Sequence, residues 1–307
     1  MPPSIWFWIA FHVGVFIVIG IDLLWQKRTP EPVTMAESAT WSAIWVALSL
    51  AFNALIWHVQ GSDQALDFLT GYLIEYSLSV DNIFIFVLIF SYFQVPPQSQ
   101  HRALVWGIVG ALVMRGAMIC LGVALVERFN YVLYIFGAFL LLTGIRMLFG
   151  GREEVDFEKS WMMRLCRRTL PLTRDFYGRR FAVRIDGRLM FTPLFLVLVI
   201  VDVMDLVFAV DSIPAVFAIT TDRFIVYTSN ICAILGLRSL YFLLAGLMNR
   251  FVYLRTGLAI ILTFVGLKMI AARWFRIPNG MSLLVIVLVL AVTITASMLA
   301  TREHRRN

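Results

Sequence analysis

Five carboxylates lie inside long apolar stretches of the sequence, where charged side chains are rare. They are Glu75, Asp81, Asp202, Asp205 and Asp211. An acid at the centre of a membrane-spanning helix costs about 2.5–3.5 kcal/mol unless it is paired, protonated or hydrated. Five such acids in two segments therefore predict a functional site. Oxygen ligands of this kind suit magnesium, calcium or manganese better than copper or zinc.

Neutral and positive side chains accompany these acids. Asn82 and Ser212 directly follow two of the aspartates and offer further oxygen ligands, although either could instead cap a broken helix. Arg115 and Arg238 lie deep in neighbouring apolar runs and are candidate charge partners. A purely structural role, in which the acids only neutralise the arginines, is the alternative. We favour a cation site because two arginines cannot balance five acids.

The spacing of the acids makes a geometric prediction. Asp202 and Asp205 are three residues apart and share a helical face. Glu75 and Asp81 are six apart, about 240° on an ideal helix, so they point in different directions. They could converge if the helix unwinds between or just after them. In the second helix Pro214 supplies a reason, since it removes one helical hydrogen bond.

The two acidic segments belong to a predicted repeat. "EYSLSVDNI" (75–83) aligns with "DLVFAVDSI" (205–213), with an acid at the first and seventh position of each. The order of features then continues, because Arg115 in the next run corresponds to Arg238. Further along, "GIRML" corresponds to "GLKMI". We therefore interpret the two halves as copies of one unit.

Composition defines the class of protein. The chain has 307 residues, of which 60% are hydrophobic and only 15% charged, whereas soluble domains carry about 25% charged residues. A bilayer core of about 30 Å requires about 20 apolar residues per helix. Nine runs meet this requirement, so we predict an all-α polytopic membrane protein with nine transmembrane helices. The runs are 5–25, 40–58, 66–93, 103–126, 131–149, 190–219, 224–247, 254–272 and 281–300.

The predicted organisation is a single membrane domain over residues 1–307. The first repeat spans 66–150 and the second spans 189–272, each with three helices, so the second is inverted relative to the first. Inverted three-helix repeats are typical of secondary transporters, whose sites lie near the bilayer midplane. The segment 151–188 is a basic linker. We expect one amphipathic helix near 157–169, lying on the cytoplasmic membrane surface.

The placement of basic residues predicts the orientation. Of the 26 Lys and Arg residues, 18 fall on one side of the predicted spans and only four on the other. The positive-inside rule then places the N-terminus outside and the C-terminus in the cytoplasm. The excess positive charge is therefore a topology signal, and we do not expect nucleic-acid binding. Arg146 and Lys268 lie near span ends and are expected to extend to the interface.

The blocks "SLSVDNIF" and "VFAVDSIPA", with their surrounding helices over residues 65–272, resemble the TerC family of membrane proteins, named for tellurium resistance. The resemblance implies a role in manganese export, metal homeostasis or tellurite resistance. It also implies a metal site formed by Glu75, Asp81 and Asn82 together with Asp205, Asp211 and Ser212. Two positions depart from the family pattern, which often has Lys at the place of Tyr76 and Glu at the place of Asp202.

Together with the resemblance, these observations lead us to expect a divalent cation exporter in a bacterial inner membrane, with Mn²⁺ as the favoured substrate, working by alternating access and proton exchange. No permanently bound cofactor is expected. The partners are the lipid bilayer, the cation and protons, and a homo-oligomer is compatible with the sequence. A Ca²⁺ transporter is one alternative, and a membrane scaffold or metal-loading partner that docks through the 151–188 segment is another. We do not expect an enzyme, since no nucleophile with a base, zinc-protease motif or phosphate-binding loop is visible.

Overall fold

The computed structural model describes residues 5–28, 34–129, 131–149, 170–185, 187–245, 253–272, 274–275 and 277–304. Side chains at 22–28, 81, 84 and 301–304 fall outside this description. The helices are α1 (Ile5–Arg28), α2 (Met35–Gln60), α3 (Ser62–Tyr92), α4 (Pro97–Arg128), α5 (Val132–Phe149), α6 (Pro193–Phe217), α7 (Arg223–Leu235), α8 (Leu237–Ala245), α9 (Leu254–Ala271) and α10 (Asn279–His304). Two strands, β1 (Ala182–Ile185) and β2 (Arg188–Phe191), precede α6.

The helices confirm the predicted all-α membrane class. Within the described ranges, seven helices are long and apolar enough to cross a bilayer, and the number rises to eight if α7 and α8 form one bent span. The part of α1 whose side chains are described, Ile5–Ile21, is apolar but shorter. The count of nine therefore stays a prediction.

Side chains cap two of the helices in the way their sequences favour. Thr34 precedes α2, and its hydroxyl accepts a hydrogen bond of 3.2 Å from the backbone N–H of Glu37. Asp222 precedes α7, and its Oδ1 accepts from the N–H groups of Phe224 and Ile225 at 2.8 and 3.1 Å. Each cap satisfies backbone donors that the first helical turn leaves free.

The backbone does not unwind beside the acids. Helix α3 continues through Asp81 to Tyr92, and α6 continues through Pro214 to Phe217. Pro214 lies in the last turn of α6, so the hydrogen bond that it removes falls near the end of the helix and does not break the helix in the middle. The interruption lies in the next span, where α7 and α8 meet at Gly236 with a bend of 40°.

Helix α7 forms the buried centre of the bundle. Every residue from Phe224 to Leu235 except the half-buried Tyr227 is buried, and the helix packs against α3 and α4. The approach to α3 depends on Gly71, where a Cβ atom would lie 3.0 Å from the Ser229 hydroxyl oxygen. The hydroxyl of Ser229 on α7 therefore faces α3.

Glycine residues allow the backbones of α5 and α9 to approach closely where the two helices cross. A Cβ atom at Gly144 would lie 2.7 Å from the backbone nitrogen of Thr263, and one at Gly266 would lie 2.6 Å from that of Leu141. Gly144 and Gly266 are corresponding positions of the predicted repeat, as are Leu141 and Thr263. The contacts are those that a two-fold axis between the copies predicts, although the inverted repeat itself stays a prediction.

A β-hairpin before α6 was not predicted. Strands β1 and β2 pair antiparallel, with Ile185 opposite Arg188, and Gly187 in the connection has φ of 76°. The Asp-Gly pair at 186–187 is a strong hairpin signal in the sequence. The predicted linker boundary at 188 coincides with the start of β2. The expected amphipathic helix at 157–169 lies outside the described residues.

Candidate functional site

Arg115 on α4 is the centre of a buried polar cluster. Its side chain is 1% exposed. Its Nε and Nη2 atoms donate to the two carboxylate oxygens of Asp205 on α6, at 2.9 and 2.8 Å. Its Nη1 donates to Oε1 of Glu75 on α3. Because two parallel bonds fix the plane of the guanidinium, Asp205 sets the direction in which Arg115 reaches Glu75.

Two neutral side chains complete what we call the Arg115 cluster. Ser212 on α6 has its Oγ 3.5 Å from Arg115 Nη1, and Asn230 on α7 has its Oδ1 at 3.4 Å. These long contacts are weak hydrogen bonds, but all the groups are buried. Four helices, α3, α4, α6 and α7, thus supply one polar centre within the bundle.

The charge of the Arg115 cluster is not balanced. Glu75 and Asp205 are 0% and 3% exposed, and one guanidinium faces the two of them. Oε2 of Glu75 and Nδ2 of Asn230 are buried and have no hydrogen-bond partner among the described residues. An uncompensated charge away from water costs several kcal/mol. The cluster is therefore suited to take up one more positive charge, either a proton or a cation.

The carboxylate of Asp202 packs against two glycines of α4, Gly107 and Gly110, next to this cluster. A Cβ atom at Gly110 would lie 2.7 Å from its Oδ2, and one at Gly107 would lie 3.5 Å from its Oδ1. Its Oδ1 is buried without a hydrogen-bond partner in the described part of the chain. Asp202 and Asp205 both contact α4, as their spacing predicts. Asp202 thus adds a second negative charge that Arg115 does not neutralise.

Asp211 faces another helix. Its Oδ1 accepts a hydrogen bond of 3.4 Å from Thr143 on α5, whereas Ser212 beside it turns toward Arg115. The six-residue spacing separates Asp211 from Asp205, and the seven-residue spacing brings Ser212 onto the same face as Asp205. The structure therefore places Asp211 apart from the Arg115 cluster.

The remaining predicted site residues lie on α3 and α8. The side chain of Asp81 is outside the described part of the structure, so its role stays a prediction. Asn82 is buried, with 4% of its side chain exposed. Arg238 is buried at the second residue of α8, directly after the bend at Gly236. Among the described residues, no group of three or more His, Cys, Asp or Glu side chains is placed to hold a metal.

Two polar features were missing from the sequence prediction. Asn230 in the Arg115 cluster is one, and its position within the apolar run "IVYTSNICAIL" was the available signal. The other is a hydrogen-bond network around Asn279, the first residue of α10. There Asn279 donates to Asp67 Oδ1 at 2.6 Å and to the Ile219 carbonyl at 3.1 Å. Lys268 Nζ donates to Asn279 Oδ1 at 2.9 Å.

This network corrects the expectation for Lys268. The side chain does not extend to the interface; it is 8% exposed and also donates to the hydroxyl of Ser282 on α10 at 2.8 Å. Internal oxygen acceptors replace the water that an interfacial lysine would contact. The network joins α3, α9, α10 and the chain after α6.

Comparison with known proteins identifies the family. The model of the Integral membrane protein TerC family matches residues 60–305. The chain belongs to the TerC family. The resemblance seen in its acidic blocks is thereby confirmed, and the match extends beyond the predicted second repeat into α10.

Curated relatives of this TerC-family protein cover nearly its whole length. One from Escherichia coli (strain K12) is 47% identical over 97% of this chain and 95% of its own, and is named "Putative membrane-bound redox modulator Alx". One of the same name from Salmonella typhi is 48% identical over 94% of this chain and 92% of its own. A Myxococcus xanthus relative, "Uncharacterized membrane protein STKORF319", is 46% identical over 96% of this chain and 93% of its own. No solved structure is a significant match.

Proposed function

We propose that this TerC-family protein is a secondary transporter that exports a divalent cation, with Mn²⁺ as the favoured substrate, in exchange for protons. The observation that carries the proposal is the unbalanced charge of the Arg115 cluster. Glu75 is fully buried, and one of its carboxylate oxygens lacks a hydrogen-bond partner among the described residues. A buried carboxylate in this state binds a proton or a cation more readily than one in water.

The charges of the neighbouring groups imply a stoichiometry. Glu75, Asp205 and Asp202 together carry three negative charges when ionised, and Arg115 carries one positive charge. The remaining double negative charge is neutralised either by two protons or by one divalent cation. We therefore propose that two protons enter for each divalent cation that leaves, so that the exchange moves no net charge.

Arg115 acts in this mechanism as an internal counter-ion. When the site holds no cation, the guanidinium of Arg115 forms ion pairs with the carboxylates of Glu75 and Asp205. A cation that binds must compete with it, helped by the neutral oxygens of Ser212 and Asn230. Asp81, Asp211 and Asn82 would act at another stage of the cycle, when the two predicted repeats rearrange around the site.

The ligand chemistry supports a hard cation. Carboxylate, hydroxyl and amide oxygens suit Mn²⁺, Mg²⁺ and Ca²⁺, so Ca²⁺ is the nearest alternative substrate. A tellurium oxyanion is disfavoured because the cluster is net negative. We place the protein in a bacterial inner membrane with its N-terminus outside, and we propose no enzymatic step. The redox role in the names of the relatives would follow indirectly, from altered metal balance.

The test is Mn²⁺ flux into proteoliposomes that contain a metal indicator and a pH dye. Wild-type protein should move protons opposite to Mn²⁺, and a potassium–valinomycin clamp should leave the initial rate unchanged because no net charge moves. Glu75→Gln and Asp205→Asn should each reduce the rate at least tenfold. Glu127→Gln is the matched control, because Glu127 is a half-exposed acid that pairs with Arg223 at the end of α4.

Two results would contradict the proposal. If the Glu75→Gln/Asp205→Asn double variant transported Mn²⁺ at the wild-type rate, the Arg115 cluster would have no part in transport. A folded wild-type protein without any Mn²⁺ flux would favour the alternative, a membrane scaffold or metal-loading partner.

A further inference from the structure

The segment that leads into α6 presents a concentrated positive surface. Residues 170–192 contain five arginines and two aspartates. All five arginines are exposed. They are Arg174, Arg179, Arg180, Arg184 and Arg188. The proposed transport mechanism uses none of them, and the topology signal to which they contribute does not specify what their guanidinium groups contact.

Hydrogen bonds hold this surface against the ends of two membrane helices. Ser99 in the first turn of α4 donates to the Gly178 carbonyl at 3.2 Å, and Arg102 donates to the Arg179 carbonyl at 2.5 Å. Strand β2 is separated from α6 by Thr192 alone, whose hydroxyl donates back to the Arg180 carbonyl at 2.7 Å. The arginines are therefore fixed relative to the helices and do not belong to a free tail.

Aromatic contacts indicate the level of this surface in the bilayer. The ring of Trp106, which is 50% exposed on α4, meets the ring of Phe181 edge-on at 6.5 Å. The guanidinium of Arg102 lies 4.9 Å from the centre of the same Phe181 ring. Exposed tryptophan and arginine at a span end mark the headgroup region of a membrane. The hairpin thus begins at the depth of the lipid headgroups.

The hairpin itself combines charge with an exposed apolar side chain. Leu189 is 55% exposed and lies opposite Arg184 in the ladder, next to Arg188. Because neighbouring residues of a strand point to opposite faces, Arg184 and Arg188 carry positive charge on both faces of the hairpin. A flexible layer of small anionic groups can contact both faces at once, which a rigid protein surface cannot.

We propose that the loop and hairpin at 174–188 bind the phosphate groups of anionic phospholipids in the same bilayer. Arginine suits this partner because its planar guanidinium forms paired hydrogen bonds with phosphate oxygens. The lipids are held beside the surface at high local concentration, since the helices anchor the hairpin at the headgroup level. Leu189 enters the boundary between headgroups and acyl chains. The inference does not depend on the transport proposal.

The test compares two triple variants of the full chain in neutral detergent by native mass spectrometry. Arg174, Arg184 and Arg188 are changed together to Gln, which removes three charges, or together to Lys, which retains them. Each basic residue near an anionic surface contributes a factor of about five in binding, so the Gln variant should bind phosphatidylglycerol on the order of a hundredfold more weakly. The Lys variant should stay within about tenfold of wild type, and phosphatidylcholine should bind weakly to all three proteins.

Thermal unfolding without lipid serves as the control for folding and should be the same for the three proteins. The proposal is overturned if the Gln variant retains phosphatidylglycerol as well as wild type does. It is also overturned if wild type does not discriminate between the two lipids, or if the Lys variant loses as much binding as the Gln variant. Any of these results would instead favour an acidic protein as the partner of this surface.

Discussion

Glu75 and Asp205, the first acids of the two aligned segments, meet at the same guanidinium group. The two residues lie on α3 and α6, and Arg115 on α4 donates to both carboxylates. If the segments are copies of one unit, a single arginine from the first copy joins the corresponding acids of both. The contact is unsymmetrical, as the proposed alternating-access mechanism would require of either end state.

Arg115 should be required for stability as well as for transport. Arg115→Gln leaves two buried carboxylates without their cation, so we expect a loss of about 3–5 kcal/mol in unfolding free energy. Adding Glu75→Gln and Asp205→Asn to this variant should recover part of the loss, because neither of the two carboxylates that face Arg115 is then charged. Chemical unfolding in detergent measures both changes.

Arg223→Gln is the matched control for this prediction. It breaks another arginine–carboxylate pair, with Glu127, but that pair is exposed and screened by water. Its unfolding curve should overlay that of wild type. A similar destabilisation by Arg115→Gln and Arg223→Gln would show that burial does not distinguish the two pairs.

Gly110→Ala should impair transport more than folding. The added methyl group would meet the carboxylate of Asp202 at less than 3 Å, and this side chain can rotate away at little cost to the fold. The shift removes the acid from its place beside the Arg115 cluster, so we expect a severalfold lower Mn²⁺ flux with a nearly unchanged melting temperature. Gly116→Ala, on the same helix, meets only the ring of Tyr227 at 3.4 Å and should have a smaller effect on flux.

Gly266→Ala should destabilise the crossing of α5 and α9. Here the methyl group would meet backbone atoms of Leu141 and Gly137 at 2.6 and 2.7 Å, and backbone cannot rotate away. We expect a loss of about 1–3 kcal/mol, as for other overpacked interiors. Gly14→Ala in α1 has no atom within 4 Å of the added group and should be neutral or slightly stabilising. Equal melting temperatures for the two variants would contradict the close crossing.

Asn279 should couple Asp67 to Lys268 energetically. Its amide donates to the first residue and accepts from the second, so Asn279→Leu breaks both bonds and should cost about 2–4 kcal/mol. A double-mutant cycle between Asp67→Asn and Lys268→Met measures the coupling, which should exceed about 0.5 kcal/mol with Asn279 present. With Leu at 279 the coupling should fall, and a coupling that does not change would exclude the amide as the link.

The sequence predicted the helices well because a membrane demands long apolar runs, and most such runs became helices near the expected bounds. It also located the buried acids. Their partners were harder to predict, since Arg115 and Asp205 are 90 residues apart and only the packing of α4 on α6 brings them together. Lys268 was misjudged for a similar reason, because its acceptors Asn279 and Ser282 belong to a helix outside the repeat.

The expected helix break illustrates a different limit. Pro214 is a strong local signal, but its effect depends on how many helical turns follow it, and only the tertiary structure ends α6 three residues later. The bend occurs at Gly236, which is only a weak signal in the sequence. The chain bends there because α7 and α8 pack among different buried neighbours. Local chemistry thus indicated that a span would be interrupted but placed the interruption in the wrong span.

The position of Arg115 has a consequence for when such an exporter would work. A guanidinium attached to the protein can leave Glu75 and Asp205, but it can never be diluted or exported, so it competes with the metal at a constant local concentration. Scarce metal ions would lose this competition, and abundant ones would win it. The protein would then have a threshold built into its site, one that spares a cell's trace supply of an essential metal and removes only the excess.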